Sequence, residues 1–125
     1  MEKKIQIVIE DSVFEAVLND SSAAEHLWNR LPLEIFMSRW GEEYYGDCGM
    51  SLELDKSARE IMEVGEVAFW PPGNALCFFF GPTPVSTDSR PKAASDVIPL
   101  GNITGDIGLL KTFGSSVKVS VSRKS

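Results

Sequence analysis

Residues 65–84 read GEVAFWPPGNALCFFFGPTP, and this stretch decides the fold. Two apolar runs, 66–70 and 75–80, flank Pro71-Pro72-Gly73-Asn74. Proline presets one turn dihedral and Gly or Asn accepts the left-handed region, so the stretch predicts a hairpin. The second run, Ala75-Leu76-Cys77-Phe78-Phe79-Phe80, has no polar residue in either phase of a two-residue period. A strand of that kind must be covered on both faces. Gly81-Pro82-Thr83-Pro84 stops it.

Working outward, the rest of the chain is also mostly strand. Ile5, Ile7 and Ile9 alternate with Lys4, Gln6, Val8 and Glu10. Phe14, Ala16 and Leu18 continue the period after Asp11-Ser12, so the first twenty residues predict a second hairpin. Ala24, Leu27, Trp28 and Leu31 follow a helical spacing, Ser22 with Glu25 fits a capping box, and Pro32 ends the helix. Leu33–Trp40 predicts a strand with Leu33, Ile35, Met37 and Arg39 on one face. With that face inside, Arg39 points inward at the strand's end. Leu52 and Leu54 suggest a short strand; Lys56–Glu63 fits either a strand or a helical turn. Residues 83–96 read as a long Ser/Thr/Pro/Asp-rich loop, a kind that is often functional. Ile103, Ile107 and Leu110 suggest a short helix, and Val117, Val119 and Val121 a final strand with one wet face. The expected architecture is all-β: one domain over 1–125, a closed barrel of about eight strands with one or two short helices.

The chain has 125 residues and a net charge of −6. Residues 1–70 hold fifteen acids and six bases, residues 71–125 three acids and six bases. No basic stripe with interleaved aromatics occurs, which argues against a nucleic-acid partner. Cys48 and Cys77 form no CxxC and no His/Cys cluster, so neither a zinc site nor a disulfide framework is expected. Cys77 is expected to be a buried thiol. The apolar core of the N-terminus is too short for a signal peptide, and no window is long enough to span a bilayer. The expected setting is the cytoplasm, with no membrane partner, no metal and no cofactor.

The lone histidine, His26, has no placed nucleophile beside it and reads as a surface residue. Glu42 and Glu43 would face opposite ways on a strand, so they do not make a carboxylate pair. The remaining constellation is Arg39 with aromatics. A guanidinium at an aromatic-lined mouth suits an amide or carboxylate ligand. A hydrogen bond to the nitrogen of an Xaa-Pro amide would lower a rotation barrier of ~20 kcal/mol. The expected pocket consists of Arg39, Glu43, Tyr44 and Phe79. The alternative is that Arg39 forms a structural ion pair with Glu43 or another nearby acid. Phe79 and Phe80 face opposite ways, so only one of them can line an interior site.

The string at 65–84, with SRWGEEYYG at 38–46, NITGDIGLL at 102–110 and the total length, resembles a family of small prokaryotic cyclophilin-like proteins of unassigned function. The resemblance covers the whole chain and implies a closed eight-stranded barrel with short helices over its ends. True cyclophilins are peptidyl-prolyl isomerases whose active site uses a Phe-His-Arg string and a Gln-Gly-Gly-Asp string. Neither occurs in this sequence. The expected function is therefore binding of a peptide or small molecule near Arg39, without the standard isomerase site. The alternatives are a divergent prolyl isomerase with Arg39 as its catalytic residue, and a hydrolase-related subunit.

Overall fold

The computed structural model describes residues 2–124. Nine strands and one α-helix follow in the order β1 (Lys3–Ile9), β2 (Ser12–Leu18), α1 (Ser22–Arg30), β3 (Leu33–Arg39), β4 (Glu43–Asp47), β5 (Arg59–Ile61), β6 (Glu66–Trp70), β7 (Ala75–Phe79), β8 (Lys92–Thr104) and β9 (Ser116–Arg123). Short 3-10 turns occupy Pro71–Gly73 and Ile107–Thr112. The strands are ordered β2-β1-β9-β3-β4-β7-β6-β8, and β2 pairs again with β8, so eight antiparallel strands close into a ring. β5 lies outside the ring, paired with β8. Among the described residues no helix is long and apolar enough to cross a membrane.

The two predicted hairpins form. Ile9 pairs with Ser12 around a turn at Glu10-Asp11, and Glu10 carries the positive φ of 55°. In the second hairpin Asn74 takes the left-handed conformation after the 3-10 turn. β7 is central, between β4 and β6, and all five of its residues are buried. Its inner face (Leu76, Phe78), continued by Phe80, joins Val67 and Phe69 of β6, Tyr44 of β4, and Ile35 and Met37 of β3 inside the ring. Its outer face (Ala75, Cys77, Phe79) builds a separate cluster with Met62, Ala68, Ala93 and Val97. Fully burying one such Phe contributes about 1.5–3 kcal/mol.

Several local expectations are corrected. The helix cap is Ser21, whose side chain accepts from the Ala24 backbone N–H, rather than Ser22. Residues 51–55 form no strand, and Leu54 is exposed. The Lys56–Glu63 alternative resolves to the strand β5. The expected 83–96 loop ends at Pro91, because β8 takes over at Lys92 and runs thirteen residues. Ile103 belongs to that strand and the helical turn starts only at Ile107.

Ring closure depends on backbone proximity at Gly101, which pairs with Leu18 across the β2–β8 seam. A Cβ there would sit 2.2 Å from the Val17 carbonyl oxygen. Gly101→Ala is expected to lower unfolding stability by about 1–3 kcal/mol, as overpacking does. Phe36→Ala, at a side chain 77% exposed on β3, should stay within about 0.5 kcal/mol of the parent. Urea unfolding of the two variants checks both numbers.

Candidate functional site

Strand phase sorts the four expected site residues into two places. Arg39 continues the inward phase of Ile35 and Met37, as expected, but at the end of the ring and only partly buried. Its Nε donates to the Gly41 carbonyl at 2.8 Å, and its Nη1 to those of Lys111 and Phe113 at 3.1 Å each. Its guanidinium lies 5.1 Å from the centroid of the Phe80 ring, which in turn stacks on Tyr44 at 5.4 Å. The Tyr44 hydroxyl donates to Gly114 O at 2.6 Å. Burial pushes the Tyr44 phenol up, with Arg39 pulling the other way. Arg39, Tyr44 and Phe80 therefore plug one end of the ring and tie the 111–114 segment across it. Among the described residues no acid forms an ion pair with Arg39, so its partners are backbone carbonyls rather than Glu43.

Glu43 and Phe79 lie on the other side of the sheet. Glu43 pairs with Phe79 across β4 and β7, and Tyr45 pairs with Cys77. Their side chains share the outer face with the β7 outer cluster. A cleft of about 280 Å³ opens there, lined by Trp40, Glu43, Tyr45, Trp70, Ala93, Ala94 and Val97. Arg39 and Tyr44 are not in its wall. The single pocket expected from sequence is thus corrected: adjacent residues on a strand face opposite ways, so Glu43 and Tyr44 cannot share a site. Glu42 points elsewhere and pairs with Lys111 at 3.4 Å.

The cleft has one chemically pointed feature. Glu43 is only 5% exposed, and its Oε1 has no hydrogen-bond partner. Almost all buried polar atoms are satisfied, because desolvation without a partner is expensive. Burial raises the Glu43 pKa from 4.5 to about 7, and the Cys77 thiol opposes this in part. The thiol is itself pushed well above its ordinary value by burial and by Glu43. The indole Nε1 of Trp70 donates to the Ser95 hydroxyl at 2.7 Å, which fixes one aromatic wall. Elsewhere, Arg59 donates twice to Glu66, at 2.9 and 2.6 Å, and clamps β5 to β6.

Of the seven residues that line the cleft, only Glu43 was expected from the sequence; Trp40, Tyr45, Trp70, Ala93, Ala94 and Val97 were not. The period of two held the signal for Tyr45, which shares Glu43's phase. Ala93 and Ala94 were hidden inside the stretch read as loop, and Val97 directly follows it.

A family model described as Cyclophilin-like matches residues 3–122. The solution structure of the hypothetical protein AF2241 from Archaeoglobus fulgidus is similar at 31% identity, covering 98% of this chain and 95% of that one, with a TM-score of 0.82. No curated protein matches.

Two outcomes follow from the geometry. Arg39→Gln should cost about 1–3 kcal/mol by stripping carbonyl partners at the ring's end, measured by urea unfolding. Glu43 binds its proton more tightly folded than unfolded, so its contribution to stability is largest below pH 4.5 and falls until about 7. Above that it stays flat. Unfolding of Glu43→Gln across this range should lack the decline, leaving the variant more stable than the parent above about pH 7; an identical pH profile would contradict the burial argument.

Proposed function

The chain belongs to the cyclophilin-like family, and we propose that it is a ligand-binding protein whose site is the outer-face cleft around Glu43. One observation carries this reading: an aromatic-walled cleft of about 280 Å³ has an unpartnered, buried carboxylate oxygen in its lining. Small-molecule sites combine apolar walls with a few placed polar groups. The occupant is a small molecule, or one side chain of a peptide, with an apolar body and a hydrogen-bonding group that meets Glu43.

This reading moves the binding site away from Arg39. Its guanidinium is engaged with three carbonyls and a ring face, and the cleft wall is built from other residues. An isomerase mechanism that draws on Arg39 would first have to break those contacts. The engagement of Arg39 therefore favours binding over prolyl isomerisation.

The three tryptophans make the test internal. Trp40 and Trp70 line the cleft, while Trp28 stands on α1 beneath Arg123, whose guanidinium is 4.6 Å from its ring centroid. A fragment screen read by indole N–H resonances should yield hits that shift Trp40 and Trp70 and leave Trp28 in place. Trp70→Ala should weaken such hits by about tenfold or more. Hits that shift Trp28 alone, or no hits across the screen, would overturn the assignment.

A further inference from the structure

We infer that the cleft takes a protonated amine with an apolar body, its N–H directed at the Glu43 carboxylate and its charge held among the rings of Trp40, Tyr45 and Trp70. The inference rests on the ligand-binding reading above and names the class of ligand.

Three observations converge on a cation that also carries a hydrogen. The wall supplies three aromatic side chains around one acid. Aromatic faces carry negative charge density and attract cations, most strongly where water is excluded. A neutral carbonyl would need the protonated carboxyl as its donor and would gain no charge attraction from the ring faces. The acid is buried, yet among the described residues none of the ion pairs includes it. A buried charge is ordinarily paired. Its Oε1 also lacks a hydrogen bond. A quaternary ammonium would match the charge and the rings but not that oxygen. An ammonium with an N–H matches all three. The remaining lining, Ala93, Ala94 and Val97, suits the alkyl or aryl body of such an amine.

Pairing with a cation requires the carboxylate form, so binding is coupled to loss of the Glu43 proton. The other titratable groups packed around Glu43 are the Cys77 thiol from β7 and the Tyr45 phenol on its own strand. The walls from β6, β8 and the residue after β3 contribute Trp70, Ala93, Ala94, Val97 and Trp40, none of which titrates. The thiol is held neutral by burial. Glu43 therefore governs the pH response. Affinity for an amine that stays protonated should rise close to tenfold per pH unit below about 7 and level off above it.

The test compares three probes by indole N–H shifts and calorimetry from about pH 6 to about pH 8. They are N,N-dimethylbenzylammonium chloride, its quaternary analogue N,N,N-trimethylbenzylammonium chloride, and the neutral N,N-dimethylbenzamide. The expected result is tightest binding of dimethylbenzylammonium, strengthening with pH, releasing close to one proton per ligand at the acid end. Glu43→Gln should weaken it at least tenfold and remove the pH dependence. If the amide binds as well or better, and more tightly toward low pH, the cleft reading stands and the amine assignment falls. If the quaternary salt equals the tertiary one, the N–H contact to Glu43 is wrong. If no probe moves Trp40 or Trp70 at any pH, the amine assignment falls, and the fragment screen decides separately whether the cleft binds anything.

Discussion

Everything in this fold depends on β7 having no polar residue to offer to water. A strand that is apolar in both phases can only be central, and it needs a layer on each face. The closed ring supplies the inner layer, where Phe78 meets Val67, Phe69 and Tyr44. The outer layer is thinner. It is assembled from Met62, Ala68, Ala93 and Val97, with Tyr45 and Trp70 packed against it. Small residues on β6 and β8 leave that layer shallow at one end, and the cleft is the result.

The two layers explain why one acid is unlike the others. Glu66 also lies on the outer side and is equally buried, but Arg59 reaches it with two hydrogen bonds and the Glu63 backbone N–H adds a third. Glu43 has no such arrangement. Its neighbours are aromatic rings, alanines and a thiol. The same kind of residue at the same depth is thus a structural clamp on β6 and a group poised near neutrality on β4. The difference lies in whether the chain provides the counter-charge.

Much of the architecture was legible in the sequence. Periods of two at 5–9, 14–18 and 117–121 mark strands because each has one face in the ring and one in solvent. The Pro-Pro-Gly-Asn turn is encoded by residues that only a tight reversal tolerates. β8 was not legible. Ser95, Asp96, Pro99 and Gly101 interrupt its apolar period, and its strand character comes from pairing with β6, β2 and β5, a tertiary effect. Arg39 was read correctly for its phase but not for its partners. Which carbonyls converge on a guanidinium depends on the 3-10 turn at 107–112, some seventy residues away. Of the four residues expected to share a pocket, Glu43 alone lines the cleft; Phe79 pairs with it in register but is packed in the outer cluster, and Arg39 and Tyr44 face the other way.

Glu43 is a buried carboxyl with no counter-charge among the described residues. Its own titration tests this most directly, followed through the side-chain carboxyl carbon by NMR in the free protein. Burial without a counter-charge should put the midpoint near 7. A midpoint near the ordinary 4.5 would mean that water or a protein cation reaches the group, and Glu43 would not be the unpaired buried carboxyl described above.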